Sequence, residues 1–249
     1  SSNIGDRAQA VRLLGTLGLP KYQSVLMRTL RDDTLVVRMV AAQALIQNDN
    51  TRDAHTLLGH LNYFDNVSED YLASLLAKAG NTAGPDMRSF LALKDNPTKL
   101  RAIAANALYY LNDSAATNVA ASILAPHIPP RLMLPCLNII SVWGNPEHAP
   151  TVRKLFPIQT TSILASACRA LGKVGDSSDV PRLLRSMEHP SPWVNLAAAR
   201  ALGDLDESDK LIPYLERSPI KAELARLVMQ ESVDNEIPWE ERPLSELTE

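Results

Sequence analysis

The stretch AARALG at 198–203 decides the fold, because the chain keeps rewriting it. ACRALG stands at 167–172, AANALY at 104–109 and AAQALI at 41–46. With Ala198 as the register mark, matching positions fall at Ala167, Cys136, Ala104, Leu72, Ala41 and Ala10, in steps of 31, 31, 32, 32, 31 and 31 residues. Each copy runs small or apolar twice, then one variable residue, then apolar twice: AVRLL, AAQAL, LASLL, AANAL, CLNII, ACRAL, AARAL. An eighth copy, ELARL at 223–227, follows 25 residues on and has the look of a shortened terminal repeat.

A period held this tightly means one supersecondary unit stacked many times, because a unit of about 30 residues cannot bury its apolar face alone. Within each copy the apolar positions recur at helical spacing, as in Val37, Val40, Ala41, Ala44 and Leu45. A second, less regular helix is expected before each: 20–31, 52–62, 83–94, 114–125, 146–156, 178–187 and 207–217. Asn96-Pro97, Ser191-Pro192 and Ser218-Pro219 place an N-cap residue before proline at the first helical position, where the missing N–H costs nothing. Gly18, Gly144 and Gly175 fall where helices should stop. No period-two alternation appears, so the chain is expected to be all-α. The alanines then have a reason: at a helix contact they let two axes approach to about 8–10 Å, while the following Leu fills the space between layers.

The stretches VVRMVAAQAL, preceded by Asp33, and KLRAIAANAL, preceded by Asn96, resemble HEAT repeats, most closely the short bacterial subtype named after phycobilin lyases. Arg38 and Arg101 occupy that family's arginine position; Asn195, after Val194, holds it in the copy at 190–203, while Leu164 and Met133 depart from it. The resemblance covers about 4–231. It implies a right-handed α-solenoid of about seven helical hairpins, a HEAT-like superhelix whose second helices line a concave surface. The expected organisation is a repeat solenoid over 1–231 and an acidic tail or cap, containing Pro and Trp239, over 232–249. The helix at 5–19 is of the second type with no partner before it, so the parent protein is expected to continue upstream.

Composition narrows the function. The chain of 249 residues has 45% hydrophobic residues, ample for a core, and a net charge of −3. Seven acidic residues and one basic residue fall in 231–249, which leaves the repeats only mildly positive. Nucleic acid is therefore disfavoured as a partner. No apolar run reaches the roughly 18–20 residues needed to span a bilayer, although a parent chain could be tethered. Two cysteines are too few for a disulfide framework, which leans toward a cytoplasmic location.

Candidate chemistry is thin. His55 and His60 stand five apart, about 140° around a helix, so they do not share a face as a metal pair should. Glu147-His148 and Glu188-His189 reverse the order of the iron-binding doublets of the HEAT-like deoxyhypusine hydroxylases, and their spacing misses the repeat. Cys136 and Cys168 sit in the small-residue register and act as small hydrophobes. No phosphate loop or nucleophile elbow occurs. No catalytic residue, metal site or cofactor is expected. The alternatives are a HEAT-like enzyme of bilin-lyase or DNA-repair type, or a solenoid that binds nucleic acid.

The variable position of the pentad is polar in all seven full copies, Arg12, Gln43, Ser74, Asn106, Asn138, Arg169 and Arg200, and Arg226 continues the row in the shortened eighth. On the second helices this row would run along the concave groove that the resemblance implies. It is either the solvated stripe of an amphipathic helix or a surface that binds a peptide or protein, with Tyr109 and Tyr110 as aromatic anchors and three arginines at the C-terminal end. A non-catalytic protein-interaction scaffold is the expected function. Trp143 is expected in the core and Trp193 in the core or at its rim.

Overall fold

The computed structural model describes residues 3–47, 54–158, 160–217 and 219–236. Among the described residues the chain is helical and no strand forms. Eight helices carry the repeated pentads: α1 (Ile4–Leu17), α3 (Leu35–Gln47), α5 (Glu69–Ala77), α7 (Thr98–Tyr110), α9 (Pro130–Trp143), α11 (Thr161–Val174), α13 (Pro192–Asp204) and α14 (Pro219–Glu236). The helices between them are shorter: α2 (Gln23–Thr29), α4 (Ala54–His60), α6 (Gly84–Ala92), α8 (Ala116–Ile123), α10 (Ala149–Arg153) and α12 (Val180–Met187). Four of these open with a turn of 3-10 helix, at Pro20–Tyr22, Asn81–Ala83, Pro146–His148 and Ser177–Asp179. The seventh, Ser208–Glu216, is 3-10 throughout and contains Pro213, which removes one backbone donor.

The chain forms two compact units, one of residues 1–123 and 128–139, the other of 124–127 and 140–249. In the first, the second helices pack in sequence order, α1 on α3, α3 on α5 and α5 on α7, while α4, α6 and α8 form the layer behind them. In the second, α11 packs on α13 and α13 on α14, with α10, α12 and the 3-10 segment Ser208–Glu216 behind. Both units follow the plan of an α-solenoid.

The register alanines do what the period implied. Ala41, Leu72, Ala104, Cys136, Ala167 and Ala198 are all fully buried. Ala10 is the exception: it is solvent-exposed, because α1 opens the row and no described helix precedes it. Leu13 and Leu17 on the same helix are exposed for the same reason. Two contacts between successive second helices use glycine. A Cβ on Gly15 would stand 2.5 Å from Ala44 Cβ, and one on Gly172, in the same register five repeats later, 2.9 Å from Ala201 Cα. Successive second helices therefore nearly touch backbone to backbone.

Some local expectations are revised. α7 starts one residue after Pro97, and Asn96 does not cap it; its amide instead donates to Phe90 O at 2.8 Å, closing the turn from the other side. Ser191 precedes Pro192 at the first position of α13 without a side-chain cap bond. Ser218 lies outside the described residues. Gly18 ends α1 in the left-handed region at φ 61°, whereas Gly175 is extended. Helix α14 continues to Glu236, and the remainder of the tail read at 232–249 lies outside the described residues.

Candidate functional site

Three kinds of polar residue are built into the repeats, and two of them serve the fold. The first occupies the arginine position near the start of three second helices, α3, α7 and α13. Arg38 Nη1 donates to the carbonyl of Asp32 at 2.7 Å, Arg101 Nε to that of Leu91 at 2.9 Å, and Asn195 Nδ2 to those of Met187 (3.0 Å) and His189 (2.8 Å). Each side chain reaches back to the end of the preceding short helix and satisfies carbonyls that have no intrahelical donor. Arg101 and Asn195 are buried in doing so. Burying a charged or amide group is tolerable only with such partners.

The second kind joins neighbouring repeats. Asp113 accepts from the Ala115 N–H and Asp176 from the Ser178 N–H, each pinning the turn before a short helix. An arginine of the previous short helix then reaches each carboxylate: Arg88 to Asp113, and Arg153 to Asp176 at 2.9 Å. Arg153 also grips the fully buried Asp179 through Nε (2.8 Å) and Nη2 (2.7 Å), and Arg182 shares that carboxylate. The hydrogen bonds that Arg153 donates to Asp179 raise its pKa above its ordinary value, so the guanidinium stays charged. In the first unit, Arg7 spans Asp32 and Asp33, both at 3.1 Å.

The third kind is the variable row. Arg12, Ser74, Arg169, Arg200 and Arg226 are exposed, and Gln43, Asn106 and Asn138 are half-buried, while the residues flanking them in the pentads from 41 to 202 are buried. The row is therefore a solvent-facing polar stripe within each unit. Its arginines are not equivalent. Arg200 is engaged in a two-pronged pair with Glu231 of α14, Nε to Oε2 at 3.1 Å and Nη2 to Oε1 at 2.7 Å. Arg169 donates to Ser166 Oγ at 3.0 Å, which leaves its charge without a carboxylate partner among the described residues. Glu231 was not legible as a partner: it lies 31 residues from Arg200, one repeat step, and only that coincidence hints at the pair.

The first unit presents a different surface. Tyr110 is exposed, its ring meets Tyr109 edge to face at 5.9 Å, and its hydroxyl donates to Asp70 on α5. That hydrogen bond, with burial adding to it, pushes the Tyr110 phenol up to about 12. Tyr71, next to Asp70, is also exposed, and its hydroxyl accepts from Gln43 Nε2 on α3 at 3.4 Å. Asp70 and Tyr71 were missed in the sequence because neither belongs to the pentad. Their signal is the spacing: Tyr71 stands three residues before Ser74, on the same face of α5.

The remaining candidates are structural. His148 Nδ1 accepts from the Asn145 N–H at 3.1 Å, and His189 Nδ1 from the Ser191 N–H at 3.0 Å, so both histidines of the Glu-His doublets close turns. His60 Nδ1 bonds to Thr56 O at 2.8 Å, while His55 packs edge-on to Phe90 at 4.9 Å. Among the described residues no three His, Cys, Asp or Glu side chains gather as metal ligands. Cys136 and Cys168 are free and buried, and burial pushes their thiols up to about 12 and about 11. Trp143 is half-buried rather than in the core, and Trp193, 73% exposed, lies outside it. Two open clefts of about 390 and 350 Å³ lie among the short helices, one beside Arg182, Arg185 and His189, the other beside Arg31, His55 and Tyr63.

A family model described as HEAT repeats matches residues 159–219, the stretch from just before α11 through α13 and the 3-10 segment after it. Over that stretch the chain carries HEAT repeats, a kind of repeat that commonly mediates protein–protein interaction. No curated protein matches it. Among the described residues no helix is long and apolar enough to cross a membrane.

Proposed function

We propose that this protein is a non-catalytic interaction module that holds a protein or peptide partner against the polar row of its second helices. The observation that carries the reading is the persistence of the row. Seven pentads keep a polar residue at their third position, and that position stays at least partly open to solvent in all seven; the exposed Arg226 continues the row on α14. Packing does not require this, since a solvated stripe tolerates almost any residue. In the second unit, Arg169 and Arg226 offer exposed guanidinium groups that suit carboxylates of a partner, and Arg200 already displays that geometry with Glu231.

Site-specific photo-crosslinking tests the reading. The photoreactive residue p-benzoylphenylalanine is placed at 106 or 169 on the row, and at 122 or 185 on the short helices as controls. In cells of the source organism, adducts to a discrete protein are expected from the row and not from the controls. Adducts from the controls alone, or equally from all four, refute it.

A further inference from the structure

We infer that Asp70, Tyr71 and Tyr110 form a subsite for an arginine side chain of the partner protein. The inference rests on the reading above and adds the chemistry of what docks on the first unit. Tyr22, Tyr63, Phe64, Phe156 and Tyr214 each carry a lysine or arginine of the chain itself over the ring, at 4.9 to 5.9 Å from the centroid. Among the described residues no such cation lies over Tyr71 or Tyr110, although both residues are more than 40% exposed. The carboxylate of Asp70, beside Tyr71 on α5 and bonded to the Tyr110 hydroxyl, has no cation partner among the described residues. Glu69 is neutralised by Arg131 at 3.0 Å, whereas among the described residues Asp70 is met by the neutral Tyr110 hydroxyl alone.

The three groups come from α5 and α7, which pack directly on each other, and Gln43 of α3 ties the Tyr71 hydroxyl in place. Rings fixed in this way cost little entropy when they bind. A ring face carries negative electrostatic potential, and a planar guanidinium can lie over it while its N–H groups fork toward a carboxylate. An exposed carboxylate beside uncapped rings fits that cation and repels an acidic side chain. The arginine-bearing row of the second unit has the opposite preference, so the two units select different parts of a partner.

The test is an NMR titration of the whole protein carrying 13C-labelled tyrosine. The probe is acetyl-Gly-Gly-Arg-Gly-Gly-amide, with the citrulline peptide as an uncharged isostere. Saturable shifts of the Tyr71 and Tyr110 rings are expected with arginine, and affinity at least about threefold weaker with citrulline, the size of an exposed cation–π contact. Asp70→Asn, which keeps an acceptor for the Tyr110 hydroxyl but loses the charge, and Tyr71→Ala should each weaken the arginine peptide about threefold or more. Tyr71→Phe should retain binding, which separates loss of the ring from loss of the fold. Equal affinity for citrulline, or unchanged binding by Asp70→Asn, overturns the inference. So would ring shifts that appear on concentrating the protein alone, since the occupant would then be a second copy. Any of these results leaves the crosslinking outcome at 106 and 169 to stand or fall by itself.

Discussion

Removing the buried carboxylate Asp179 should destabilise the second unit by about 2–3 kcal/mol, a figure that can be assembled from its partners. Asp179 is fully buried and accepts from Arg153 Nε and Nη2, from Arg182, and from the Asp176 N–H at 3.2 Å. Deleting one member of a wholly buried ion pair costs about 3–5 kcal/mol, because the other charge is stranded. Here Arg153 and Arg182 retain 27% and 33% side-chain exposure, and Arg153 keeps Asp176, so part of that cost is recovered from water. About 2–3 kcal/mol remains for Asp179→Ala, and about 1–2 for Asp179→Asn, whose amide must turn its donor toward a guanidinium or the Asp176 N–H. Among the described residues both tryptophans, Trp143 and Trp193, lie in the second unit, so their fluorescence during urea unfolding reports this unit. The urea midpoint should fall with an unchanged slope. Because replacing both partners by apolar groups removes the stranded charge, Arg153→Met combined with Asp179→Ala should cost less than the sum of the two single changes. Midpoints within about 0.3 kcal/mol of the parent for both Asp179 variants, or strict additivity with Arg153→Met, would refute the reasoning.

Three further outcomes follow from the geometry. Gly172→Val should destabilise the second unit by at least about 1–3 kcal/mol in the same urea assay, since its Cβ would stand 2.9 Å from Ala201 Cα and the contact is backbone; Gly59→Val, with open space around its Cβ, should cost less than about 1 kcal/mol. Asn195→Ala should cost about 1–3 kcal/mol by stripping donors from the carbonyls of Met187 and His189, and Asn195→Arg should recover part of it, as Arg38 and Arg101 cap the same way. The hydrogen bond from Lys221, with Tyr214 and Arg217 adding to it, holds the Glu188 carboxyl below its ordinary 4.5. A depressed carboxyl stabilises the fold above its unfolded pKa, so the stability gap between the parent and Glu188→Gln should be complete above about pH 5 and close as pH falls through the lower folded value. A gap that persists at pH 2 would contradict this.

The period, the helical class and the order of the elements could be taken from the amino-acid sequence alone. Repetition does that work: the same small-apolar pentad at 41, 104, 167 and 198 imposes the same local spacing each time, and helix formation depends on neighbours within four residues. The seven short helices fell within a few residues of their expected places for the same reason. Local rules failed where a side chain had two local options. Asn96 could cap the following helix or close the preceding turn, and only the placement of Phe90 decided for the turn. The exposure of Ala10 and Trp193 depended on which helices lie beside them, which no window of sequence contains.

The variable row itself was legible, since it repeats with the fold. What each member does was not. Arg200 and Arg169 are the same residue in the same register, yet one is held by a carboxylate of α14 and the other by a serine of its own helix. Asp70 and Tyr71 stand outside the repeated pentad and gained meaning only when α7 brought Tyr110 against α5. Sequence by itself settled the period and the helical spacing, which contacts a turn apart govern. Tertiary structure alone decided which charges are answered and which are left open, because electrostatic pairing acts across helices that the chain brings together only when it folds.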